Sequence, residues 1–137
     1  MRSRIVLLII AVLVLDILIA SSCMKVSSGE DLYGVWQGEH HEMELLFIFN
    51  SDGTCSLSFK NNDSGETNEL SGTFEVDFEK SPIPLSIRNI PQLTYGLYTI
   101  IYFTDNNSLI MADFSPRWRL RPISFQNNTS MNLRRVL

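Results

Sequence analysis

Cysteine and histidine are scarce in this chain. Only Cys23 and Cys55 occur in 137 residues, so the multi-disulfide framework that braces many small secreted domains is excluded. The two histidines, His40 and His41, are adjacent. Neighbouring residues on a strand point to opposite faces, which predicts that the pair cannot share one ion. No third histidine exists to complete a site with bonds of about 2.0–2.2 Å. The segment 39–44 (Glu-His-His-Glu-Met-Glu) is therefore read as a polar turn, and no metal site is expected.

Other catalytic signals are also missing. No serine lies in a Gly-x-Ser-x-Gly elbow, and no glycine-rich phosphate loop or cofactor fingerprint occurs. Glu75, Asp77 and Glu79 alternate with apolar residues, which points them at water rather than at a shared substrate. The expectation is a protein without catalytic residues, without a cofactor and without enzyme activity. Basic charge is short as well, with 11 Lys and Arg against 15 Asp and Glu. Its one late cluster is Arg117, Arg119 and Arg121, followed by Arg134 and Arg135. Nucleic-acid binding normally needs a basic patch on a basic domain, so nucleic acid is not an expected partner.

The one long hydrophobic run is at the start. Arg2 and Arg4 precede an apolar stretch over residues 5–20, interrupted only by Asp16, and Ala20, Ser21 and Ser22 lead to Cys23. A short basic region, an apolar region and small residues before a cut describe a secretory signal. A cysteine at that cut fits bacterial lipoprotein processing, with Cys23 as the lipid attachment residue. Plain signal cleavage and an uncleaved anchor stay open, although a span needs roughly 20 apolar residues. Removing Arg2, Arg4 and Asp16 leaves 9 basic and 14 acidic residues. The predicted organisation is a lipoprotein-type signal peptide over 1–22, a linker over 23–33, a barrel over 34–126 and a loose tail over 127–137. The predicted location is the cell envelope, lipid-anchored, with a secreted or periplasmic soluble form as the alternative. If Cys23 is lipidated, Cys55 has no partner and is read as a buried, inert thiol. A Cys23–Cys55 bridge would exclude lipidation.

Beyond residue 33 helical periodicity is absent, whereas strand and turn signals recur every 8 to 12 residues or so. Strands are predicted over 34–39, 43–50, 54–59, 72–79, 85–90, 97–104, 109–114 and 119–125. Alternation turns Phe47 and Phe49, then Cys55, Leu57 and Phe59, then Phe74, Val76 and Phe78 to one face. Asn50-Ser51-Asp52-Gly53 and Asp105-Asn106-Asn107-Ser108 are turns, and residues 60–69 read as a long polar loop. Pro82 and Pro84 must interrupt pairing because proline lacks the donor. The expected fold is all-β: a small antiparallel up-and-down barrel of about seven or eight strands, which closes to remove its edges.

Gly34-Val35-Trp36 opens the first predicted strand and Arg121 lies on the last. First and last strands are neighbours in such a barrel, so Trp36 and Arg121 are the expected closing pair, with the guanidinium across the indole for roughly 0.5–2 kcal/mol. Here the chain resembles the calycins, whose lipocalins carry Gly-x-Trp on the first strand and a basic residue on the last. It is more similar to a family of small exported bacterial lipocalin-like proteins. The matching segments, in order, are Gly34-Val35-Trp36, Gly72-Thr73-Phe74-Glu75-Val76-Asp77, Lys80-Ser81-Pro82, Gly96-Leu97-Tyr98, Asp105 with Leu109, and Arg121-Pro122-Ile123-Ser124-Phe125. The resemblance implies a lipocalin-like barrel and no established activity. The linker is expected to lack the helical turn that many lipocalins carry there.

Phe47, Phe49, Phe59, Phe74, Phe78 and Phe103 are numerous for so small a domain. An eight-stranded barrel is either filled by its side chains or holds one small ligand. These six are the candidate lining of a site for a small apolar ligand, and the membrane surface is the second expected contact, through a lipidated Cys23. The alternative function is an envelope protein-interaction module, such as a hydrolase inhibitor, using residues 60–69 and Ser115-Pro116-Arg117-Trp118 at the barrel ends.

Overall fold

The computed structural model of the protein describes residues 29–137; the signal segment and Cys23 lie outside the described residues. A single helical turn, α1 (Gly29–Leu32), leads into eight strands: β1 (Gly34–His40), β2 (Met43–Phe49), β3 (Thr54–Asn61), β4 (Thr67–Val76), β5 (Ile83–Arg88), β6 (Leu97–Asp105), β7 (Ser108–Ala112) and β8 (Ser130–Arg135). Each strand pairs antiparallel with the next, and β8 returns to β1 to close the barrel. The predicted fold class is therefore observed, and no sheet edge is left to pair with another chain.

The hairpins form where alternation and turn chemistry agree. Phe47 lies opposite Leu57 and Phe49 opposite Cys55 across β2 and β3, and all four are buried. Gly53 takes φ +86° in the turn between them, and Asp52 Oδ1 accepts from both the amide and hydroxyl of Thr54, at 2.9 and 2.6 Å. Those two bonds hold the Asp52 carboxyl below its ordinary pKa. Between β1 and β2, His41 and Glu42 both have positive φ, the signature of a tight hairpin turn whose twist matches its strands.

Several readings need correction. Half of residues 60–69 are strand, on either side of a turn over 62–66: Lys60 pairs with Thr67, Phe59 with Asn68 and Ser58 with Glu69. The polar residues there are the wet face of a hairpin, so their polarity resembled a loop. The tail over 127–137 contains β8, where Met131 and Leu133 are buried while Asn132 and Arg134 face out. The barrel accordingly extends past 126. The predicted last strand over 119–125 is not a strand; it holds one 3-10 turn, Trp118–Leu120, and Pro122 cannot donate to a ladder. The linker also ends in the helical turn α1 that it was expected to lack.

Moving the last strand moves the closing contact. Trp36 is fully buried, and its Nε1 donates to Leu32 O at 2.8 Å. The guanidinium above its ring belongs to Arg135, with Cζ 4.4 Å from the ring centroid. Arg135 Nη1 donates to Tyr33 O, Nη2 to Asp31 O at 2.5 Å and Nε to Asn106 O at 3.4 Å. Gly34 has φ +128°, and a Cβ there would stand 2.9 Å from Arg135 Nη1. The predicted Trp36–Arg121 pair is thus replaced by Trp36–Arg135, because β8 rather than 119–125 lies beside β1. Gly38 permits the same seam, since a Cβ there would come within 2.3 Å of Asn132 O.

Candidate functional site

The six phenylalanines do point inward. Phe47 and Phe49 are buried in the core cluster, and Phe59, Phe74, Phe78 and Phe103 pack against it. Five of the six rings contact one another or their neighbours: Phe47 meets Phe59 at 5.3 Å and Phe114 at 6.1 Å, Phe49 meets Phe74 at 5.1 Å, and Phe103 meets Trp36 at 6.0 Å. Such edge-to-face and tilted contacts are the packing of a filled interior. Cys55 is part of it; burial pushes its thiol up to about 11, which disfavours the reactive thiolate.

A cleft with space for a ligand lies outside the barrel. Residues 113–129 leave β7, cross the outer face of β5 and β6 as a strap, and return to β8. Tyr98 and Ser115 fasten its start by exchanging two backbone hydrogen bonds of 2.9 Å. Asp113 N donates to Thr129 O at 2.9 Å and closes the strap's base. Proline at 116 and 122 keeps the intervening chain from joining the sheet.

Arg121 fixes the middle of the strap. Its Nη1 donates to Leu85 O at 3.3 Å and Thr99 O at 3.2 Å, and its Nη2 to Ser86 Oγ at 2.8 Å. The guanidinium also stands 5.6 Å from the Tyr98 ring centroid. Burial is the main cause that lowers its pKa from the ordinary arginine value, and nearby Arg88 adds to the lowering. Between strap and sheet is a cleft of about 650 Å3, whose walls include Pro82, Pro84, Ile100, Trp118, Arg121 and Ile123. That volume falls within the roughly 300–1,000 Å3 typical of small-molecule sites. Trp118 is 63% and Ile123 88% exposed.

The histidines sit at the β1–β2 hairpin, against the two ends of the strap. Because His41 sits in the turn rather than on the strand, the two rings do not diverge as expected; their centroids are 3.9 Å apart. His41 Nε2 is 2.9 Å from Asn128 O. His40 Nε2 lies 3.2 Å from Asp113 Oδ1, close enough for an ion pair but not aligned as a hydrogen bond. Among the described residues no three His, Cys, Asp or Glu side chains gather as a metal ion would require. No described helix is long and apolar enough to cross a membrane.

Sequence reasoning placed Trp118 at a barrel rim and gave Arg121 a partner in Trp36. The structure brings Trp118 and Arg121 together on one cleft instead. The signal that could have shown this was Pro116 and Pro122 bracketing three arginines, a tryptophan and a leucine, a segment unable to pair yet carrying large side chains that a plain turn does not need. No family model matches the chain, and no curated protein or solved structure matches it either.

Proposed function

We propose that this chain is an exported barrel protein, tethered at the cell envelope by lipid on Cys23, that binds a small apolar molecule in the cleft under its strap. The likeness to exported lipocalin-like proteins belongs to the same proposal, as does the absence of any catalytic step. One observation carries the binding reading. Apolar Trp118 and Ile123 stand in water at the mouth of a ready-made cleft, while the rings of the interior are engaged with each other. Large exposed apolar side chains beside a concavity cost free energy in water unless something covers them. Export and the lipid rest on the sequence pattern around Cys23.

A second reading shares the surface. Leu120 is 64% exposed beside Trp118, and an aromatic and an aliphatic anchor flanked by arginines suit a protein partner such as an envelope hydrolase. Titration with a solvatochromic apolar dye separates the two. The cleft reading expects saturable uptake that falls at least fivefold in the double variant Trp118→Ser, Ile123→Ser, whose positions are exposed and do not support the core. Absence of uptake, or uptake indifferent to that variant, would refute it. An intact mass of the protein recovered from its own membranes tests the tether, which requires acyl chains on Cys23.

A further inference from the structure

We infer that the cleft selects an anionic amphiphile, a single-chain carboxylate whose head meets Arg121 and whose chain lies along Trp118 and Ile123. This rests on the surface-cleft reading and adds the chemistry of the occupant. Arg121 is half-buried, yet all three of its hydrogen bonds go to neutral oxygens. The two carboxylates of the cleft wall are engaged elsewhere: Asp77 with Lys80 at 3.1 Å and Glu75 with Arg88 at 3.6 Å. Among the described residues none forms an ion pair with Arg121. A partly desolvated charge without a counter-charge is unfavourable, and an anion brought to it is held more strongly than in water.

The donor inventory matches a carboxylate. A guanidinium has five N–H groups; the bonds to Leu85, Thr99 and Ser86 use three. One N–H on Nη2 and the N–H on Nε are left, and two such donors suit the two oxygens of a carboxylate. The strap adds Arg117 and Arg119, neither of which has an ion-pair partner among the described residues. Asp77 and Glu75 are each matched by a cation of their own, Lys80 and Arg88, which leaves Arg121 as the charge of the cleft wall without an opposite partner among the described residues. A wholly apolar guest would leave Arg121 without a counter-charge, and a cationic one would be repelled by it.

The test compares decanoate, 1-decanol and decyltrimethylammonium, each below its aggregation limit, by calorimetry and by NMR of the Trp118 indole and Arg121 Nε–H signals. Decanoate is expected to bind about tenfold more tightly than decanol, the worth of one charge-assisted contact, with the cationic analogue weakest. In Arg121→Met the preference for decanoate over decanol should shrink to within about twofold. If that variant does not fold, Arg121→Lys, which keeps the charge but loses the two-donor fork, should reduce the preference severalfold. Equal affinities for decanoate and decanol would overturn the inference while leaving the surface cleft standing. No binding by any of the three would remove both. Binding to anionic phospholipid vesicles without binding of monomeric decanoate would overturn it in favour of a membrane surface.

Discussion

Arg135 and Arg121 are chemically identical and do different things because of what surrounds their guanidinium groups. Arg135 reaches backbone carbonyls of Asp31, Tyr33 and Asn106 and covers the Trp36 ring. It ties the chain entry, the β6–β7 turn and β8 together at one end of the barrel. Arg121 binds carbonyls in the middle of the β5–β6 face and holds only the strap. Arg135→Met is expected to cost about 2–4 kcal/mol, combining lost charge-assisted bonds with the lost cation–π contact. Chemical denaturation checks this: the midpoint should fall clearly more in Arg135→Met than in Arg121→Met. The reverse order would restore the role that sequence alone assigned to Arg121.

At the scale of elements, β8 is the least conspicuous strand and the one that closes the fold. Its six residues hold two arginines and an asparagine with only Met131 and Leu133 inward from the middle of the strand. Yet it pairs with β7 over five positions and with β1 over four. Removing residues 130–137 would expose the edges of β1 and β7 together with Leu109, Met111 and Trp36, all fully buried in the intact barrel. Such a truncated chain is expected to lose cooperative unfolding in calorimetry and to aggregate through its open edges. A sharp two-state transition in the truncated protein would mean that β8 is the loose tail its composition suggests. The strap, by contrast, owes its path to what it cannot do: Pro116 and Pro122 block ladder bonds, and the chain settles across the sheet instead of extending it.

For the molecule as a whole, a closed ring of hairpins joins β1 to β8 and gathers the inward side chains of the strands into one core. Cys55 illustrates how local ionisation becomes global stability. Its thiol is buried at 3% exposure, and burial raises its pKa from 9.0 to about 11. The unfolded chain ionises first as pH rises, so the Cys55 contribution is whole below about pH 9. It declines as pH climbs through the window toward 11 and amounts to about 3 kcal/mol in full. The stability difference between the wild-type protein and Cys55→Ala should therefore shrink over that window and be flat from pH 6 to 8. Urea titrations of both proteins across pH 6–11 measure it; a difference independent of pH would place the thiol in contact with water.

Much of this architecture was legible in local patterns. Alternation along 43–59 and at Phe74 and Val76 predicted which side chains enter the core, and Asp52-Gly53 marked a turn that the structure contains. Those signals are local because a strand's two faces are set by a period of two, and a turn by four residues. What tertiary structure alone decided is which distant groups meet. The contact of Arg135 with Tyr33 spans 102 residues, and no local pattern distinguishes it from one made by Arg121. The ring packing of the interior and the cleft under the strap arise in the same way. Side chains from several strands compete for one volume, and only the closed barrel shows which space they fill and which face the proline-bracketed strap covers.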